Sequence, residues 1–507
     1  MRILILLLVL FFVASASAQK PFPCGTPAEK SPWLKNYQKN TAAFRLSTDT
    51  ILYVPMTIHS VGTDEGTAHF LTTRILDAFC TLNEDMAASN IQFFIEGEIN
   101  FINNTALNQH DTVIDGAFFM FQYNVANTLN TYFVTDPAGN CGYNLPYAGV
   151  MMNKSCSNPD DHTWAHEVGH ALSLPHPFYG WEGGISWDNS VPPVYSEPAP
   201  ERVLANYTSY KDSLITDTLI IDTIWVEKVD RSNCTFAADG FCDTPPDYIA
   251  QRWTCNSNSE SPIQQTDPDG VKFQSDGTLI MSYSDDMCAN RFSAEQTNAM
   301  RANLLDEKQN LLYNQIPKLP ISNAPVLLEP AADQTVAFNQ VRFAWKPAPE
   351  ATHYLLQVSR LPNFPIIEYQ ATFTDTTALV NVLQANRTYY WRVRPFNSHY
   401  SCAGFTQGVK FQTSATSSTG QLSSSAGFFA RPTLISRGQP VEIIFRNQSE
   451  DIKILAISDA AGRLIFKRQI QTTQGSYLAD TQNLSPGIYF FVLENASGRF
   501  FQKVVVR

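Results

Sequence analysis

The chain has 507 residues, 44% of them hydrophobic and 16% charged, with 47 acidic against 35 basic side chains and a net charge of -12. That length holds several domains, and the acidic balance, with no basic run interleaved with aromatics, excludes a phosphate-tracking surface and hence nucleic acid as a partner. The nine cysteines suit an exported, oxidising setting, and their odd number leaves at least one thiol unpaired.

Arg2 precedes an apolar run from Ile3 to Val13, and Ala16-Ser17-Ala18 supplies a small-residue cleavage pattern, so residues 1–18 read as a signal peptide. No other stretch reaches about 18 apolar residues, so no transmembrane segment is expected in the mature form. Residues 19–45 are rich in Pro, Lys and Asn without clean periodicity and read as a pro-segment outside any core. A catalytic domain is expected over 46–316. Its pattern predicts a strand at 51–59, a helix at 67–86, a strand at 91–102, a helix at 117–129 and strands at 131–134 and 148–152, an α+β order.

A helix capped by Asp161 or His162 should follow, carrying His166, Glu167 and His170. Residues four apart share a helix face, so His166 and His170 can bind one ion while Glu167 stands beside them to hold a water. Pro175 disfavours helical continuation at Leu174, and a turn there swings His176 back as a third zinc ligand, leaving a fourth tetrahedral position. The plain alternative, an amphipathic helix with ordinary polar residues, explains neither the spacing nor the third histidine.

The run from His166 to His176 and the downstream Leu279-Ile280-Met281-Ser282-Tyr283-Ser284 resemble the metzincin zinc metalloproteases, whose pattern is H-E-x-x-H-x-x-G-x-x-H followed by a Met-turn. Cys242-Asp243-Thr244-Pro245-Pro246-Asp247-Tyr248, Met281 to Cys288 and Arg291 to Gln296 look most like the pappalysin (cytophagalysin) branch. Ser173 stands where the pattern has Gly, a substitution that matters if the turn needs positive φ. The resemblance implies a twisted sheet above the zinc and an irregular half below it, Met281 beneath the metal as a structural residue, and Tyr283 as a catalytic group that hydrogen-bonds the oxyanion. It also implies latency in a zymogen, with Cys24 occupying the zinc. A disulfide from Cys24 to Cys80 with Cys402 left over is the competing arrangement. Asp285 and Asp286, after the Met-turn, suggest a bias toward basic residues on the primed side.

Residues 177–278 are irregular, with a hairpin expected near 210–226. Cys234, Cys242, Cys255 and Cys288 are expected to staple this region by disulfide bonds. Asp239, Asp243 and Asp247 are candidate Ca2+ ligands beside the Zn2+ site, although no EF-hand pattern accompanies them and solvated loop carboxylates are the ordinary reading. A helix at 294–313 should close the domain.

Short alternating strands then take over. Residues 321–413 resemble a fibronectin type III domain, with Val341, Phe343 and Trp345, Tyr354, Leu356 and Val358, and Tyr389, Trp391 and Val393 facing one core and Leu383 and Tyr389 placed like a tyrosine corner. Residues 414–427 are a Ser/Thr/Gly-rich linker. Residues 428–507 form a further small sandwich, and Asp459-Ala460-Ala461-Gly462-Arg463, Leu484 to Tyr489 and Lys503 to Val506 resemble the type IX secretion C-terminal sorting domain.

The fold class expected is therefore multidomain, an α+β metzincin catalytic domain followed by two all-β sandwich domains. The function expected is a secreted zinc metalloendopeptidase with a water activated by Glu167, acting on protein or peptide substrates. It would use the type IX secretion machinery of a Bacteroidetes-like Gram-negative bacterium and be released or held at the cell surface. The alternative is a surface protein that binds protein or glycan through a degenerate protease domain.

Overall fold

The computed structural model describes residues 24–44, 50–182, 195–211, 216–312, 316–415, 428–445, 453–459, 463–470, 476–482, 484–495 and 498–507. The expected signal peptide and most of the expected linker lie outside them. The chain divides into two units, residues 1–415 and 416–507.

In the first unit, Pro32–Lys39 forms helix α1. This corrects the reading of residues 19–45 as lying outside any core. The Ser31 side chain accepts from the Leu34 amide and Pro32 starts the helix, the local signals that nucleate one. Trp33, Leu34 and Tyr37 then reach one face and join the main apolar core, each burial contributing about 1.5–3 kcal/mol. Trp33 also donates to Asp306 at 2.7 Å.

The sheet is built around strand β1, Leu52–Gly62, buried along nearly its whole length. Helix α2 spans Thr72–Ala87. Where one strand was expected over 91–102 there are two, β2 at Ile91–Ile95 and β3 at Asn100–Asn103, because the chain turns at Gly97, whose φ is 71°. Both pair parallel with β1, along successive halves of it. Helix α3 covers Val113–Tyr123, earlier than expected, and β4 covers Leu129–Val134. Strands β5, Gly142–Leu145, and β6, Gly149–Asn153, complete the order β2-β1-β4-β6-β5. Pairing is parallel except that β5 runs antiparallel to β6 and forms the edge. Helix α4, Thr163–Ala171, packs beneath this sheet through Trp164, Ala165 and Val168.

Below α4 the chain is largely irregular, as its composition indicated. A hairpin of β7, Arg202–Lys211, and β8, Thr216–Trp225, begins earlier than expected. Cys234 pairs with Cys242, Cys255 with Cys288, and Cys141 with Cys156. Helix α5 spans Ala294–Asp306, opened by a Ser293/Gln296 capping box.

Residues 327–414 make a sandwich of a three-stranded and a five-stranded sheet. Phe343, Trp345, Tyr354, Trp391 and Phe411 fill it, and the Tyr389 hydroxyl accepts from the Gln384 amide at 3.0 Å. The sandwich is locked onto α2 and β2. Leu355 and Phe396 enter the main core, Arg394 pairs with Asp77 at 2.5 Å, Ser401 donates to the Leu76 carbonyl, and Ile95 donates to the Ser398 carbonyl. The Cys80–Cys402 disulfide closes 322 residues of chain. Loop-closure entropy gives such a link roughly 2–5 kcal/mol, so Cys80→Ser with Cys402→Ser should lower the calorimetric melting temperature of this unit; an unchanged transition would contradict that.

The second unit is also a sandwich of three and five strands, closed by Ile443, Leu455, Ile457, Phe491, Leu493 and Val504. Strands at Phe428–Arg431, Leu434–Ile435 and Ser476–Ala479 were not expected from the sequence.

Candidate metal centre

Helix α4 ends by a two-bond reversal. The Leu174 amide bonds the Gly169 carbonyl and the Ser173 amide bonds the His170 carbonyl, a Schellman arrangement that needs a left-handed residue between them. Ser173 fills that place at φ 74°, with the Asn303 side chain of α5 donating to its hydroxyl at 3.1 Å. The helix thus stops short of Leu174, and the reversed chain carries His176 back. His162 precedes the helix without a side-chain cap, and Asp161 bonds Asn158 instead.

The Nε2 atoms of His166, His170 and His176 converge to 3.1–3.3 Å from one another. Each ring points its other nitrogen at an acceptor: His166 at the Ile280 carbonyl (2.8 Å), His170 at the Leu174 carbonyl (2.7 Å) and His176 at Glu182 (2.8 Å). The proton therefore sits on every Nδ1, and three lone pairs face each other. Burial, then the neighbouring rings, holds His170 well below the usual imidazole range and His166 at about 3, so both are neutral.

Three converging lone pairs call for a cation. The Cys24 thiol completes the group: its Sγ lies 3.6 Å from His170 Nε2, and all four donor atoms fall within 4.8 Å. Tetrahedral zinc with its usual bond lengths would set nitrogens ~3.3 Å apart and nitrogen and sulfur ~3.6 Å apart. The donor set fits that ion. Cys24 is also the free cysteine among those described, because Cys80 takes Cys402.

Glu167 is fully buried, and burial pushes its carboxyl up to about 8. Thr26 donates to its Oε2 at 2.8 Å, while Oε1 is buried without a hydrogen-bond partner. Gly142 lets β5 come this close, since a Cβ there would meet Glu167 Cγ at 2.8 Å. The chain from Cys24 to Thr26 lies along the β5 edge: Gly25 donates to the Gly142 carbonyl at 2.8 Å, and the Asn144 amide donates to Thr26 Oγ1 at 2.7 Å. From the other side, Ser209 of β7 donates to Glu29 at 2.5 Å.

Met281 is fully buried against helix α4, where Gly169 leaves room for its sulfur. The Met-turn is pinned by Ser282, which donates to Asp247. Tyr283 packs its ring 5.0 Å from His176 and points its hydroxyl toward the Cys24 carbonyl at 3.5 Å. Asp286 lines the same pocket as His166, but Arg252 pairs with both Asp285 and Asp286, which offsets the charge on which a basic preference was expected. Asp239 accepts from Phe241 and Thr244, Asp243 from Ser293 and Glu295, and Asp247 from Ile249, Ser275 and Ser282. Among the described residues these three do not gather as a metal cluster.

Sequence reasoning missed Thr26, Glu182 and Gly142. Thr26 follows Cys24-Gly25 directly and could have been read with it. Nothing in the spacing marks Glu182.

Comparison with known proteins finds the secretion system C-terminal sorting domain over residues 439–507. Those residues are a sorting domain. A domain of that kind assigns the chain to export in the Bacteroidetes, secreted or attached at the cell surface. No curated protein matches. Among solved structures, a mutant of Tannerella forsythia promirolysin is 16% identical, covering 57% of this chain and 97% of that one at a TM-score of 0.38. The Clostridium thermocellum CbhA fibronectin(III)-like modules are 9% identical, covering 36% of this chain and 94% of theirs at 0.15. The fn3 domain of human collagen alpha-1(XX) chain is 21% identical, covering 20% and 95% at 0.15.

With residues 428–507 removed, the protein should accumulate in the periplasm, and cell fractionation checks this. Normal levels of the truncated chain outside the cell would contradict it.

Proposed function

We propose that the first unit is a zinc metalloendopeptidase of the metzincin type, made as a latent proform. The observation that carries this reading is the convergence of three Nε2 lone pairs beside a buried carboxylate and a sheet edge. His166, His170 and His176 would hold the zinc. When bound, zinc supplies the Lewis acidity that polarises a carbonyl and acidifies water.

The chain's own residues do the rest. The β5 edge, through the Gly142 carbonyl and the Asn144 amide, aligns an extended peptide as it now aligns Gly25 and Thr26. Glu167 holds a water by its carboxylate, takes its proton as the water attacks the scissile carbonyl, and returns the proton to the leaving amine. The Tyr283 hydroxyl donates to the carbonyl oxygen as that oxygen gains charge, a contribution of about 100- to 1,000-fold. The Nδ1 acceptors Ile280, Leu174 and Glu182 keep the three rings oriented.

In the intact chain the N-terminal segment lies against the histidines, Glu167 and the β5 edge. Cys24 would take the fourth ligand place, while Thr26 bonds Glu167 and Gly25 bonds the β5 edge. Burial, then the Glu167 charge, pushes the Cys24 thiol up; as a ligand to a cation held by the imidazoles it would instead favour the thiolate. Metal analysis with a peptide digest of Cys24→Ala, alone and with Glu167→Ala, tests the reading.

A further inference from the structure

Asp247 is 3% exposed, and three donors meet its carboxylate. The Ile249 amide (3.0 Å) and the Ser275 hydroxyl (2.6 Å) donate to Oδ1, and the Ser282 hydroxyl donates to Oδ2 at 2.7 Å. Both oxygens accept, which is the pattern of the ionised form. A carboxylate taken out of water needs such donors, and bonds to a charged acceptor are roughly twice as strong as neutral ones. Ser282 is therefore held more firmly than a neutral partner would hold it.

Ser282 stands between Met281 and Tyr283, and the segment that carries Asp247 grips this turn twice. Six residues beyond Asp247, the Trp253 amide donates to the Tyr283 carbonyl at 3.1 Å, and Trp253 bridges Ser284. The backbone of Tyr283 is thus fixed on both sides of its Cα, by the side chain of the residue before it and by its own carbonyl after it. The ring packs 4.5 Å from Phe178 and 5.0 Å from His176. These contacts limit its tilt, while the backbone anchors set where the hydroxyl ends. A donor that must meet a developing charge has to be held to about 0.5 Å and 10–20°.

We propose that Asp247, acting through Ser282, is a positioning residue for the Tyr283 hydroxyl. The catalytic use of that hydroxyl rests on the peptidase reading; the hold on the phenol does not. A role confined to stability is the competing account, and the two part over what loss of the Ser282 hydroxyl does to kcat and to the phenol.

The test uses the full chain carrying Cys24→Ala. Adding Ser282→Ala should lower kcat at least about tenfold, with KM within twofold and one zinc retained. Asp247→Asn, which keeps the shape and removes the charge, should fall between that variant and its parent. Ser282→Thr, which keeps the hydroxyl, should retain at least half of the parent kcat. With Tyr283→Phe already present, Ser282→Ala should cost less than a further twofold, because the group it positions is gone. A kcat unchanged by Ser282→Ala, a rise in KM in its place, loss of zinc, or the same tenfold loss on top of Tyr283→Phe would overturn the proposal. The ring is also read without turnover, by fluorine NMR of the same chain with 4-fluorophenylalanine in place of Tyr283, which sets the fluorine where the hydroxyl stood. One sharp line is expected in the parent and a broadened or split line with Ser282→Ala and with Asp247→Asn, so that loss of fold in one variant does not decide the question. An unchanged line in both would overturn the proposal. Broadening in a chain whose Tyr283 form cleaves no peptide would instead sink the peptidase reading and leave the positioning role standing.

Discussion

Glu167→Ala, made in a Cys24→Ala background so that the cleft is open to substrate, is expected to lower peptide hydrolysis by roughly 100- to 10,000-fold while the chain keeps one zinc. The separation follows from position. Glu167 is not among the donor atoms that converge, and its carboxylate instead bonds Thr26 next to the imidazoles. Removing it takes away the base and leaves each Nδ1 acceptor in place. Metal analysis and a peptide-library digest on the same preparation check both halves. Full activity in the variant would contradict the assignment of the base, and loss of zinc would contradict its separation from the metal.

Cys24→Ala alone should make the intact chain at least about tenfold more active than the intact wild type, because the sulfur holds the fourth place in the group. Activation should be incomplete. Gly25 still covers β5, Thr26 still bonds Glu167, and α1 still anchors the segment through Trp33, Leu34 and Tyr37. Adding Thr26→Ala should raise activity further, and releasing the segment should raise it most. Rates on a fluorogenic peptide, measured before any N-terminal cleavage, check the order. An intact Cys24→Ala chain no more active than wild type would remove the thiol from the account, as would peptide mapping that found Cys24 in a disulfide.

The imidazoles were legible because helix periodicity converts a four-residue spacing into one face; the odd cysteine count showed only that a thiol was left over, and it was the family resemblance that pointed to Cys24. The groups that orient the imidazoles were not legible. Two of the three are backbone carbonyls, at Ile280 and Leu174, which carry no residue identity to read. Helix α1 was hidden for a different reason. Its Ser31-Pro32 start was present in the sequence, but local composition outweighed it, and only the core supplied by α2 and α5 makes eight residues worth folding. The break between β2 and β3 turns on the single residue Gly97, which an apolar run on either side obscures.

Extended X-ray absorption at the zinc edge of the intact chain tests the central claim most directly. Three nitrogen ligands at about 2.0–2.1 Å and one sulfur at about 2.3 Å are expected, with the sulfur shell lost in Cys24→Ser. A chain that binds no stoichiometric zinc, or zinc without imidazole nitrogen in its first coordination shell, would contradict it.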